Sequence, residues 1–87
     1  MNETRKDLIT RLRKIEGQVK GIQRMIEKEE DCTNILVQIA AVRSAVNKVG
    51  GLVLENYSKD CVVRITENSE PEAEIKRLIE TIVRFTK

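Results

Sequence analysis

The stretch TNILVQIAAVRSAVNKVGGLVLENYSKDCVV, residues 33–63, decides the fold of this 87-residue chain. Apolar residues recur along it at spacings of three and four, the pattern of one helix face. This stripe consists of Leu36, Ile39, Val42, Val46, Val49 and Val53. Gly50 and Gly51 interrupt the pattern, which allows a kink or a close helix contact there. A helix of about thirty residues is about 45 Å long, so we expect a second copy of this small chain to cover it.

Two shorter helical patterns flank this stretch, and together the three predict an all-α fold in a single domain over residues 1–87. The first helix should cover about residues 4–29, and the third should begin at Pro71, which suits the first turn of a helix. Their apolar faces are formed by Leu8, Leu12, Ile15, Val19, Ile22 and Ile26 in the first helix and by Ile75, Leu78, Ile79, Ile82 and Val83 in the third. The candidate N-cap residues are Asp31 or Thr33 for the second helix and Ser69 or Glu70 for the third.

The two cysteines, Cys32 and Cys61, are 29 residues apart. On one continuous helix this spacing is eight turns plus about 20°, so both would lie on one face but about 43 Å apart. They cannot meet within one chain. In a two-fold four-helix-bundle dimer, two such helices can run antiparallel about a point near Val46 and Asn47. Cys32 of one chain then lies opposite Cys61 of the other, which predicts two dithiol sites per dimer.

Composition limits the class of protein and its compartment. Hydrophobic residues make up 40% of the chain and charged residues 34%, which is typical of a soluble globular protein. The sequence contains no uncharged apolar stretch of about 18 residues, so it predicts no membrane span. We therefore expect a cytoplasmic protein without a membrane partner, whose cysteines are reduced thiols rather than a structural disulfide. The chain has no histidine, no convergent acid pair and no phosphate-binding loop, so we do not expect an enzyme.

Positive charge is concentrated in the first helix. Residues 1–24 contain seven basic and three acidic residues, whereas acidic residues are in excess in the rest of the chain. Arg13 and Lys20, seven residues apart, belong to a basic ridge away from the apolar stripe. Gly17 and Gly21 beside this ridge would let another helix or a phosphate backbone approach closely. Charge alone leaves two interpretations open, a solvated surface or a surface that binds duplex DNA.

Two strings, RLRKIEGQVKGIQRMIE at residues 11–27 and QIAAVRSAVNKVG at residues 38–50, together with Cys32 and Cys61, closely resemble the copper-sensing operon repressor (CsoR) family of bacterial transcriptional repressors. The resemblance extends over about residues 5–64. It implies a disc-like homotetramer built from antiparallel dimers. Such a tetramer binds double-stranded operator DNA and releases it when an inducer occupies cysteine sites between subunits. The resemblance also implies that the DNA contacts are Arg11, Arg13, Lys14, Gln18, Lys20 and Arg24.

Tyr57 departs from the copper-sensing pattern. Members of the family that sense Cu(I) use a cysteine of one chain with a histidine and a cysteine of another, and these positions fall on Cys32, Tyr57 and Cys61. Cu(I) prefers thiolate and imidazole to a phenol oxygen. The chain therefore resembles most the persulfide-sensing branch, the CsoR-like sulfurtransferase repressors, which keep both cysteines and lack the histidine. This resemblance implies a persulfide or polysulfide inducer and no cofactor.

The resemblance further implies that one thiol attacks the sulfur donor and that the thiol of another chain resolves the product. Cys32 lies near the start of a helix, whose dipole favours a thiolate, so we assign it the attacking role and Cys61 the resolving role. Lys59, close to Cys61, could favour that thiolate instead, and the order of the two thiols stays open.

Two other functions are compatible with the sequence. The chain could be a Cu(I)-responsive repressor in which Cys32 and Cys61 form a two-thiolate site, whereas the absence of histidine argues against nickel or cobalt. It could also be a structural helical oligomer whose cysteines are inert apolar side chains.

Overall fold

Three α-helices make up the part of the chain that the computed structural model describes, residues 2–67 and 70–87. Helix α1 is Asn2–Glu27, α2 is Cys32–Glu67 and α3 is Pro71–Thr86. The predicted all-α fold with three helices is confirmed, and no strand occurs in these two ranges. Helix α1 begins and ends two residues before the predicted positions, and α2 begins one residue before the predicted stretch.

The turn after α1 explains why this helix ends at Glu27. Glu29 has a positive φ of 57°, the left-handed conformation that usually requires glycine. The backbone N–H of Glu29 donates to the carbonyl of Ile26 at 3.1 Å, and that of Glu30 donates to the carbonyl of Met25 at 3.0 Å. These two bonds form a Schellman motif, which satisfies carbonyls left unpaired at the end of the helix. Apolar periodicity could not locate this end of α1, because Glu29 stands where glycine is the usual signal for the end of a helix.

The start of α2 is fixed by Asp31. The backbone N–H of Ile35 donates to the carbonyl of Asp31 at 3.2 Å, which is the first hydrogen bond of the helix. Asp31 is therefore the N-cap residue, and Thr33, the other candidate, lies in the first turn. From Cys32 to Glu67 the helix is continuous, which is one condition for the predicted pairing of cysteines between chains.

The chain divides into two compact units, one that ends at Val49 and one that begins at Gly50. Their boundary falls within α2, at the glycine pair. In the second unit Gly50 faces Phe85 of α3, and a Cβ added at Gly50 would lie only 2.6 Å from Cζ of the ring. A close contact therefore explains Gly50. Gly51 has no such neighbour within 4 Å among the residues that the structure describes.

Helix α3 begins at Pro71, as predicted. Glu70 occupies its N-cap position, and Ser69, the other candidate, lies outside the described residues. Glu72 and Glu74 lie in the first turn, where negative charge complements the helix dipole.

Little apolar surface is buried within one chain. Where side chains are described, the buried apolar residues are Ile15, Val49 and Cys61. On α2, Leu36, Val37 and Ile39 are 64%, 58% and 44% exposed, although they point in different directions around the helix. A helix that is apolar on several sides is stable where neighbouring helices cover those sides. The exposure agrees with the expectation that other copies of the chain bury α2.

By length and composition alone, α2 could also cross a membrane. It contains an 18-residue window with at most two charged residues, and no other helix in the described part of the chain does so. The sequence predicts no membrane span because it lacks an uncharged stretch of the required length, whereas the window in α2 qualifies because up to two charged residues are allowed. The central helix of a soluble oligomer has the same composition, so this feature is weak support for a membrane span.

The left-handed conformation of Glu29 generates the first prediction. Replacement of Glu29 by Gly should raise the free energy of unfolding by about 1 kcal/mol, because glycine adopts a positive φ without a steric cost. Chemical denaturation at one fixed protein concentration measures this change, since assembly contributes to the apparent stability. Glu30→Gly is the matched control and should be slightly destabilising. Equal effects of the two substitutions would contradict the prediction.

Candidate functional site

The predicted DNA-binding residues lie on α1, and their basic members are all exposed. Arg11 donates from Nε to Oδ2 of Asp7 at 2.9 Å, so an ion pair partly neutralises its charge. Arg13, Lys14 and Lys20 form no ion pair with any residue that the structure describes. Exposed bases without an acidic partner are available to the phosphates of a duplex.

Gln18 and Arg24 line a depression of about 350 Å³ in the first unit. Gly21 lies in the same depression, and Gln38 of α2 also lines it. A Cβ added at Gly17 would meet nothing within 4 Å, and one added at Gly21 would meet only the Arg24 guanidinium at 4.0 Å. Within the described part of one chain, no atom of a second helix therefore lies within 4 Å of a Cβ added at either glycine.

The two cysteines are free thiols in different surroundings. Cys32, the first residue of α2, is exposed and belongs to the first unit. Cys61 belongs to the second unit, where its exposed fraction is 0%. The exposed thiol of Cys32 is therefore accessible to dissolved reagents, whereas the thiol of Cys61 is not within one chain.

Arg64 lies at the centre of the surroundings of Cys61. Its Nη2 donates to Sγ of Cys61 at 3.1 Å, and its Nε donates to Oε2 of Glu74 on α3 at 3.4 Å. Its Cζ lies 6.0 Å from the centre of the Tyr57 ring, within the range of a cation–π contact. The pKa of Arg64 is raised above its ordinary value, chiefly by the hydrogen bond to Glu74 and further by the charge of Cys61, while partial desolvation acts against both. Arg64 is thus a permanent cation beside the buried sulfur.

Arg64 and Glu74 are functional candidates that the sequence analysis missed. Part of the signal was present, because Arg64 follows Cys61 by three residues and Tyr57 by seven, which places all three on one helix face. The contact between Arg64 and Glu74 joins two helices, and no spacing rule for a single helix reveals it.

Lys59 was the base that the sequence analysis associated with Cys61. In the structure its Nζ lies 3.5 Å from Oε1 of Glu55, and both side chains are exposed. The cation that contacts the thiol of Cys61 is instead Arg64.

Cys61 and Tyr57 belong to one unit and share the contact with Arg64, whereas Cys32 belongs to the other unit. Among the residues that the structure describes, no three His, Cys, Asp or Glu side chains of one chain lie together as metal ligands.

Comparison with known proteins identifies related sequences. Residues 4–84 match the family of metal-sensitive transcriptional repressors. The chain is 43% identical over 83 residues to the copper-sensing transcriptional repressor CsoR of Bacillus subtilis (strain 168), an alignment that covers 94% of this chain and 82% of that protein. It is 44% identical over 66 residues to the copper-sensing transcriptional repressor RicR of Mycobacterium tuberculosis, which covers 76% and 69%.

Solved structures show the same fold. The copper-sensing repressor CsoR with Cu(I) from Geobacillus thermodenitrificans NG80-2 aligns with a TM-score of 0.87 and 36% identity, covering 100% of this chain and 91% of that one. The nickel-responsive transcriptional regulator InrS aligns with a TM-score of 0.84 and 34% identity, covering 92% and 90%. The predicted family resemblance is confirmed, and the relatives are repressors rather than enzymes.

The different exposure of the two thiols generates a prediction about reactivity. In the native protein, iodoacetamide should alkylate Cys32 at least about tenfold faster than Cys61, because Cys61 becomes accessible only when the surrounding structure opens. Mass spectrometry of the tryptic peptides measures both rates in one sample. In denaturant the two rates should converge. Faster alkylation of native Cys61 would reverse the assigned order of the thiols.

Proposed function

The chain belongs to the family of metal-sensitive transcriptional repressors, and on this premise we propose that it is a repressor controlled by reactive sulfur. It binds operator DNA as a homotetramer in the cytoplasm. It leaves the operator when Cys32 of one subunit and Cys61 of another react with a persulfide or polysulfide. The observation that carries the choice of inducer is the Arg64 guanidinium, whose Nη2 lies 3.1 Å from Sγ of Cys61.

A guanidinium in this position suits a sulfur nucleophile better than a metal ligand. It donates a charge-assisted hydrogen bond to a thiolate, which is the reactive form in thiol exchange. A Cu(I) ion on the same sulfur would lie close to a like charge and would compete with Arg64 for the sulfur lone pairs. Tyr57 adds a phenol where a soft metal favours imidazole. Both features disfavour cation binding at Cys61.

The proposed chemistry has two steps that transfer sulfur and then release it. In the first, the Cys32 thiolate forms an S–S bond to the sulfane sulfur of the donor, and the donor's thiolate leaves. In the second, the Cys61 thiolate of another subunit attacks Sγ of the Cys32 persulfide, and hydrosulfide leaves. Two thiols are thereby oxidised to one disulfide between subunits, and the sulfane sulfur is reduced to sulfide.

The assembly is part of the proposal, because the two thiols belong to different chains. The uncovered apolar residues of α2 support an antiparallel dimer in which second copies bury them. A disulfide between Cys32 and Cys61 of two chains would fix the relative position of their long helices. Such a change in the dimer can alter the spacing of the basic surfaces that contact DNA.

The DNA-binding surface in this proposal is the exposed basic face of α1. Arg13, Lys14 and Lys20 are free of ion pairs in the described part of the chain, so they can contact phosphates without first losing an acidic partner. Arg11 must exchange Asp7 for a phosphate. Gln18 and Arg24 line the depression beside Gly21, and in this proposal they contact a groove or a further phosphate.

Cu(I) is the second candidate inducer, because two of the relatives are named copper-sensing repressors. The residues present fit this ion only as a two-thiolate site formed by Cys32 and Cys61 of two chains, since thiolates are its preferred ligands. Membership of a repressor family argues against the third alternative, a structural oligomer with inert cysteines.

The inducer is tested on one protein preparation with one duplex, an operator selected from genomic DNA by the uninduced protein. Polysulfide should weaken binding to this duplex and should produce chains that are cross-linked in non-reducing electrophoresis. Anaerobic Cu(I), supplied from a competing chelator, should leave binding unchanged. Cys32→Ala and Cys61→Ala should each bind DNA in the absence of inducer and fail to cross-link. Release of the DNA by Cu(I), together with no release by polysulfide, would replace the sulfur proposal with the copper one.

The DNA surface generates a separate prediction. Arg13→Ala should weaken operator binding more than Arg11→Ala, because Arg11 is already paired with Asp7 in the free protein. Arg13→Ala should also reduce the magnitude of the slope of the log association constant against log salt concentration, by about one for each phosphate that the variant no longer binds. Fluorescence anisotropy over a range of salt concentrations measures both quantities. Lys76→Ala, an exposed base on α3, is the matched control, and an equally weakened operator complex in this variant would exclude the assigned face.

A further inference from the structure

Arg64 is bound at three points within the second unit. One guanidinium nitrogen donates to Cys61 and another donates to Glu74, while the carbon between them faces the Tyr57 ring at 6.0 Å. The planar guanidinium presents its donors in a fixed fork, so a contact at one nitrogen sets the direction of the others. Arg64 is therefore held by α3 and by Tyr57 in the orientation in which it contacts Cys61.

We propose that Arg64 is a positioning residue for the resolving thiol, and that it acts in the second chemical step only. The inference rests on the proposed function, because it assigns a role within that sulfur chemistry. Cys61 must be a thiolate when it attacks the persulfide on the partner's Cys32. Arg64 supplies a cation and a hydrogen-bond donor to that thiolate, whereas within one chain no described residue donates a hydrogen bond to the thiol of Cys32.

Glu74 and Tyr57 contact Arg64 and orient its side chain. A surface arginine has many rotamers, and a side chain that samples them all would contact the sulfur only part of the time. The carboxylate of Glu74, whose side chain is 17% exposed, limits the position of Nε. The Tyr57 ring limits the plane of the guanidinium. Tyr57, at the position where the family resemblance implies a metal-binding histidine, thus contacts a cation in this chain.

The same geometry accounts for the end of the reaction. Once Cys61 has formed the S–S bond to Cys32, its sulfur carries no charge and is a weak hydrogen-bond acceptor. The charge-assisted hydrogen bond that held the thiolate no longer forms, and Arg64 keeps Glu74 as its anionic partner. The cation therefore favours the reactant thiolate without binding the disulfide product.

The test separates the two steps by mass spectrometry after a brief pulse of polysulfide. In Arg64→Gln, the Cys32 persulfide should form at the wild-type rate and accumulate, whereas the disulfide between chains should form on the order of tenfold more slowly. Arg64→Lys keeps the positive charge and should recover most of the wild-type rate of cross-linking. Glu74→Gln should slow the same step by a smaller factor, because Arg64 remains but is less well oriented.

Two controls match these variants. Lys59→Gln removes a base two residues from Cys61 that pairs with Glu55, and it should cross-link like the wild type. Glu72→Gln removes the other acid of the first turn of α3 and should also have no effect. Circular dichroism and sedimentation check that each variant folds and assembles. Because the ion pair with Glu74 is partly exposed, its removal should leave the fold intact.

The outcomes distinguish this inference from the proposed function. If wild-type protein forms neither a persulfide nor a cross-link, the proposed function fails. If wild-type protein cross-links and Arg64→Gln does so at the same rate, only the role of Arg64 is wrong. If Arg64→Gln and Arg64→Lys are equally slow although both fold, the cation has no part in the step and the inference is again overturned.

Discussion

The burial that α2 requires is the constraint on which the rest of the structure depends. This helix runs from Cys32 to Glu67 and has apolar residues on several sides. The large ones that are exposed in one chain are Leu36, Val37, Ile39, Val46, Val53, Val62 and Val63. Hydrophobic burial is the main source of folding free energy, so these residues require a covering surface, which other copies of the chain supply in the proposed assembly. The same covering would bring a cysteine of one chain next to a cysteine of another. Stability and sensing thus have a common cause in the proposed assembly.

The chemistry at Cys61 follows from the side chain that lies beside it. A thiol can act as a metal ligand or as a nucleophile, and the neighbouring groups decide which role is favoured. At Cys61 the neighbours are a guanidinium and, one turn earlier on the same helix, a phenol ring stacked near that guanidinium. The guanidinium donates a hydrogen bond to the sulfur, and neither neighbour is a soft ligand for a metal ion. In the proposed function, these two side chains adapt a repressor fold to a different inducer.

The sequence predicts the three helices well, because apolar periodicity reports which residues face a core. It also predicts Pro71 as the start of α3 and allows either a kink or a close contact at the Gly50–Gly51 pair, and the structure shows a close contact at Gly50. The predicted end of α1 lies two residues too late, because Glu29 adopts a left-handed conformation that no local sequence pattern indicates. Cys32, Tyr57 and Cys61 could be selected from the resemblance to a family. Arg64 could not, since its role depends on Glu74 in a different helix and on the direction of its guanidinium.

The exposed face of α2 also has a consequence for the turnover of the protein in the cell. A newly made or dissociated chain presents a long apolar helix of a composition that could enter a membrane. Chaperones and proteases act on such surfaces, and assembly protects them by mass action. In the proposed assembly, the lifetime of a chain would therefore depend on how quickly it meets another copy, and the amount of repressor would depend on its own concentration.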